Sequence, residues 1–81
     1  MKLFKYNLHG DPEKKFQEIQ SLAKTKGVIL IGDSTSARFY GVFEGSYSRI
    51  GTAVTVTVTS KPSIVSWQVI DSMLRDFIES S

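Results

Sequence analysis

The chain has 81 residues, 41% of them hydrophobic and 22% charged, which is the make-up of one ordinary globular domain and not of a disordered segment. No run nears the ~18 apolar residues of a membrane span, and the first residues lack a signal-peptide pattern. Without cysteine a disulfide framework and a thiolate metal site are excluded, so a cytoplasmic setting is expected. The formal charge is only +2, with six lysines against three acids in residues 1–27, too little by itself to mark a nucleic-acid binder.

Residues 2–8 alternate, with Phe4, Tyr6 and Leu8 on one side and Leu3, Lys5 and Asn7 on the other. That period of two predicts a half-buried strand. His9-Gly10-Asp11-Pro12 breaks it, and Asp11 as N-cap with Pro12 at the first helical position opens a helix over 12–26. Phe16, Ile19, Leu22 and Ala23 recur on its apolar side, and Gly27 suits the left-handed residue that ends a helix.

Residues 28–31 are all apolar and largely β-branched, a strand signal, and Gly32-Asp33-Ser34-Thr35-Ser36 is turn material. Over 37–50 the aromatic and β-branched residues are broken by Gly41 and Gly45. This pattern fits one long bulged strand or two strands, about 37–42 and 44–49. Residues 52–59 alternate strictly, Val54, Val56 and Val58 inward and Thr55, Thr57 and Thr59 outward. After Pro62, Ser66 is a suitable N-cap, and Trp67, Ile70, Met73, Leu74, Phe77 and Ile78 form the apolar stripe of a helix to about residue 79.

The order β-α-β-β(-β)-β-α, with one-sided helices and short connections after residue 28, predicts an α+β two-layer sandwich. Its sheet is mainly antiparallel, of four or five strands, with both helices on one face. The expected inward set is Phe4, Tyr6, Leu8, Phe16, Ile19, Leu22, Ile29, Ile31, Val54, Val56, Val58, Ile70, Leu74 and Phe77.

Several strings invite functional readings. Residues 28–34 end in Gly32-Asp33-Ser34 and resemble the opening of the GDS-type esterases. Nucleophilic serine chemistry needs a histidine base held by an acid and donors for an oxyanion. The single histidine, His9, lies upstream, and no Asp-x-x-His follows. Arg38-Phe39-Tyr40-Gly41-Val42-Phe43 partly resembles the base-stacking signature of RNA-recognition motifs, but Phe39 stands where that signature has its first glycine. Thr55, Thr57 and Thr59 echo the Thr-x-Thr rows of ice-binding sheets, which need many stacked rows. His9 has no second ligand at metal-binding spacing, and Trp67 fits a residue that closes one end of the core.

The element order, the Gly32-Asp33 turn, the spaced Gly41 and Gly45, the Val54-x-Val56-x-Val58 strand and the amphipathic end over 67–78 together resemble small bacterial proteins of the polyhydroxyalkanoic-acid-system family. The resemblance implies a granule-associated or accessory role and brings no catalytic residues.

The residues therefore point to a small non-enzymatic domain without cofactor or metal. The leading expectation is a protein-interaction or self-associating module. The strand over 52–59 is long and free of charge and proline, so as an edge its Thr55, Thr57 and Thr59 would be poorly protected against pairing with a second copy or another protein. The alternative is a weak nucleic-acid binder in which Lys14, Lys15, Lys24 and Lys26 of the first helix meet phosphates.

Overall fold

The local signals place the elements where alternation, caps and glycines put them. A computed structural model of the protein describes residues 1–79. Its order is β1 (Lys2–Asn7), α1 (Pro12–Thr25), β2 (Val28–Gly32), β3 (Ser36–Gly41), β4 (Glu44–Ile50), β5 (Ala53–Ser60) and α2 (Trp67–Glu79). The Asp11 carboxylate accepts the Glu13 N–H at 3.0 Å, so α1 begins on the expected cap. It ends where Gly27 takes a φ of 82°, a conformation that favours a residue without Cβ. Ser66 caps α2, its hydroxyl accepting the Val69 N–H at 3.2 Å.

Residues 37–50 form two strands, with Val42 and Phe43 at the turn between them. The five strands make one antiparallel sheet in the order β1-β5-β4-β3-β2. Strands β2 to β5 are a meander of consecutive hairpins. β1 and β2 run in the same direction at opposite edges, and α1 carries the chain from one edge to the other. A sheet covered on one side only needs helices with one apolar stripe each. α1 lies against β2, α2 against β1, and the two helices touch each other. The fold is therefore α+β, both helices on one face.

The alternation of β5 gives the expected faces: Val54, Val56 and Val58 are buried, while Thr55 and Thr57 are half-buried on the far side. Phe4, Tyr6, Leu8, Phe16, Ile19 and Ile70 join them in the core. Three expected core residues do not. Ile29 and Ile31 are 37% and 56% exposed, because β2 turns Val28 and Leu30 inward. Four consecutive apolar residues carry no alternation, and pairing with β3 through Leu30–Phe39 and Gly32–Ala37 sets the face instead. Leu22 is 44% exposed on the flank of α1, and Ala23 takes the inward position. Leu74 and Phe77 are half-buried, and Ile78 is the residue of α2's last turn that is fully enclosed. Ala37, Phe43 and Tyr47 complete the core from β3, the turn and β4.

The reading of the 52–59 strand as an edge is overturned by the sheet order. β5 is flanked by β1 on one side and β4 on the other. Its main-chain groups are consumed in two ladders, so Thr55, Thr57 and Thr59 belong to an interior strand. The edges are β1 and β2.

Candidate interaction edge

The sheet surface away from the helices is crossed by a register row Leu3–Thr57–Ser46–Arg38–Ile31 and a second, Lys5–Thr55–Ser48–Ser36. Its middle is thus hydroxyl-rich. Thr59 lies at the irregularity where Glu44 pairs with Ser60 and Gly45 with Val58, and its hydroxyl donates to the Glu44 carbonyl at 3.2 Å. Exposed apolar side chains stand at both edges of this surface: Leu3 on β1, and Ile29 and Ile31 of β2 beside Tyr40 of β3, which is 47% exposed.

The two edges differ in protection. Leu8 donates to the Thr52 carbonyl at 2.8 Å, so the even-numbered residues of β1 bond to β5 and the groups of Leu3, Lys5 and Asn7 face outward. Asn7 N–H already donates to the Glu79 carboxylate at 3.1 Å, and Lys2 and Lys5 flank the rest. Lysines along an edge are a common way of discouraging a further strand.

β2 carries no such lysine, although one of its outward groups is also met by a side chain of a helix. Val42 N–H donates to the Gly27 carbonyl at 3.1 Å and Asp33 N–H to the Ser36 carbonyl at 3.0 Å. The bonds of Ile29 and Ile31 are therefore directed to β3, and those of Val28, Leu30 and Gly32 point away from the sheet. The Leu30 carbonyl accepts from the Gln20 amide of α1 at 2.7 Å. The strand Val28–Gly32 carries no charge and no proline.

At the end of this strand the Gly-Asp-Ser string is a structural turn. The Asp33 carboxylate accepts the N–H groups of Thr35 at 2.8 Å and Ser36 at 2.9 Å, and those bonds hold its pKa below the ordinary value. The Ser34 carbonyl accepts from the Tyr47 hydroxyl at 3.0 Å and from Arg49 Nε at 2.8 Å. Burial pushes the Tyr47 phenol pKa up.

The lysines of α1 do not form one surface. Lys15 is only 7% exposed, with its Nζ 3.8 Å from Glu18, and this corrects its place among the phosphate contacts. Lys14 lies near the start of the helix, and Lys24 and Lys26 lie at its far end. The strand directions bring Lys2 and Lys61 to the same end as Lys24 and Lys26. Lys61 is engaged there: its Nζ donates to the Val65 carbonyl at 2.6 Å and sits 5.2 Å from the centre of the Trp67 ring. Trp67 is half-buried and packs on Phe4 at 6.1 Å between ring centres, closing that end of the core.

Among the described residues no three His, Cys, Asp or Glu side chains gather as a metal site, and no helix is long and apolar enough to cross a membrane. The chain matches no family model, no curated protein and no solved structure. Sequence reasoning missed β2 as an edge. The one signal available was its lack of charge, which β5 shares.

Proposed function

We propose that the protein is a non-enzymatic, self-associating interaction module, and that it pairs through β2 with a second copy of itself. The observation that carries this is the pairing of an uncharged strand edge, Val28–Gly32, with an adjoining apolar strip of Ile29, Ile31 and Tyr40. Two copies related by a two-fold axis at Leu30 would place Val28 opposite Gly32 of the copy, and the two sheets would become one. The apolar strips would then adjoin and leave water together. The amide of Gln20 stays in place in this arrangement, because a carbonyl oxygen has a second lone pair.

The polyanion reading lacks comparable support, since its lysines are split between the two ends of α1 and one is buried. The granule-associated family that the sequence resembles would likewise suit a binding role without chemistry, and a cysteine-free chain suits a reducing, cytoplasmic setting.

Sedimentation equilibrium from micromolar to millimolar protein tests the proposal. The wild type is expected to move from monomer to dimer. Ile31→Lys should keep the circular dichroism of the wild type and remain monomeric, whereas Thr57→Lys, on the interior strand, should still dimerise. A wild type that stays monomeric throughout, or a Thr57→Lys variant that dissociates as fully as Ile31→Lys, overturns pairing through this edge.

A further inference from the structure

The strands and helices of this fold all run between two ends of the sheet, and charge is divided unequally between those ends. At one end lie the start of β1, the close of α1, the β3–β4 turn and the segment joining β5 to α2. Lys2, Lys24, Lys26 and Lys61 stand there, with Glu44 as the acid among the described residues. The other end holds Asp11, Glu13, Asp33 and Glu79 with Lys14 and Arg49. Five strands make the sheet only about 20 Å wide, so one extended surface can meet all four lysines.

The lysine end also bears apolar side chains that the fold leaves in water. Residues 62–65 close as a turn, the Val65 N–H donating to the Pro62 carbonyl at 3.1 Å, with Ser63 and Ile64 at its tip. Polar residues, glycine and proline dominate turns, yet Ile64 is 93% exposed at this one. Lys61 Nζ donates to the Pro62 and Val65 carbonyls at 3.3 and 2.6 Å, and Val65 packs against the core, so the turn is fixed with Ile64 outward. Val42, 47% exposed, stands beside the close of α1: its N–H donates to the Gly27 carbonyl at 3.1 Å, and its methyl lies 3.0 Å from where a Gly27 Cβ would be. Ile50 is 85% exposed at the other end. Exposure alone therefore does not single out an end, and the lysines do.

We infer that the lysine end docks on an anionic lipid membrane, Ile64 and Val42 entering the boundary between headgroups and acyl chains and the four lysines facing the headgroups. Stable attachment without a spanning helix takes two signals, such as an apolar insertion and a basic surface, and both occur here together. Each lysine near an anionic surface favours binding by about fivefold, and burial of an isoleucine by at least about tenfold. A nucleic acid would use the lysines and leave Ile64 idle. Docking makes no use of the outward groups of β2, so it stands whether or not the chain pairs.

Co-sedimentation with vesicles of phosphatidylserine and phosphatidylcholine, against vesicles of phosphatidylcholine alone, tests this. Binding is expected on the anionic vesicles and should weaken as salt rises. Lys24→Gln with Lys26→Gln should weaken it by about thirtyfold and Ile64→Ser by at least about tenfold, whereas Ile50→Ser should leave it unchanged. These four side chains are exposed, so the variants should keep the circular dichroism of the wild type. The chain has no cysteine, so Ile64→Cys and Ile50→Cys each take one environment-sensitive dye. On anionic vesicles the dye at 64 should shift to the blue and the dye at 50 should not. Equal binding to the two kinds of vesicle, an Ile50→Ser loss as large as that of Ile64→Ser, or binding that ignores Ile64→Ser and is matched by single-stranded DNA overturns the inference.

Discussion

Tyr6 holds the first strand to the last helix. Its hydroxyl donates to the Asp71 carboxylate at 2.7 Å, and burial first, then that bond, raises the phenol pKa well above its ordinary value. Arg75 lies 5.8 Å from the ring centre and bridges Asp71 at 3.5 Å and Glu79 at 3.8 Å. These ion pairs are exposed and individually worth little. The phenol bond is part-buried, so Tyr6→Phe should cost about 1–2 kcal/mol at neutral pH. The sign of the pH effect follows from proton counting. Above about pH 10 the unfolded chain loses the Tyr6 proton while the folded chain keeps it, so stability falls as pH rises through that range. Denaturant melts from pH 8 to 11 should show a shallower alkaline fall for Tyr6→Phe than for the wild type. An unchanged slope would refute this role for the phenol. Contacts of this kind are invisible in the sequence, since 65 residues separate Tyr6 from Asp71. The caps made by Asp11 and Ser66 were legible because a cap is satisfied within three residues.

At the scale of the element, β2 and β5 are opposite cases. Threonine between valines declares both faces of β5, whereas Val28-Ile29-Leu30-Ile31 offers apolar groups to either face. What decides is the partner strand: Ala37 and Phe39 of β3 point toward the helices, and the pairing aligns Leu30 with Phe39. Two neighbouring substitutions should therefore behave differently. Leu30→Ala removes a side chain that is 5% exposed and should destabilise the fold by about 2–5 kcal/mol. Ile31→Ala should change monomer stability by less than about 0.5 kcal/mol. Urea denaturation of both at a concentration where the chain is monomeric measures the difference, and equal losses would reverse the assigned face. Gly45 was legible as an irregularity but not in its purpose. It sits within β4, where an added Cβ would run into the Thr57 carbonyl of β5 and come 2.6 Å from the Phe39 ring, so its smallness lets β4 lie close to β5 and leaves room for that ring.

For the molecule as a whole, the class of fold was legible and the strand order was not. Periodicity assigns each segment a type and a face, but it is silent on which strand lies beside which. Here the connection from β1 through α1 to β2 links the two edges of the sheet, and the last strand returns to the first. That one fact moves the candidate site from Thr55, Thr57 and Thr59 to the opposite edge. The lysine surface dissolved for a related reason: a helix 14 residues long separates its two ends by about 20 Å, and burial of Lys15 depends on what lies over α1, which its own sequence does not tell.

The sheet order also sets a sequence of events in folding. β2 to β5 are joined by short hairpins and can form from near neighbours, whereas β1 must wait for β5, because Lys2 pairs with Val58 and Asn7 with Ala53. Closing that long loop is the slow, late part of assembly. Stopped-flow kinetics should then find that Tyr47→Leu, within the meander, mainly slows folding, and that Phe4→Leu mainly speeds unfolding; the reverse pattern would place β1 in the nucleus. If β1 docks last, as that pattern would show, β5 is until then the border of the four-stranded meander, eight residues without a charge. The threonine strand that is sealed in the finished protein is, for that interval, the stretch most open to pairing with another unfinished chain. β1, with Lys2 and Lys5 on its outer side, both completes the sheet and ends that exposure.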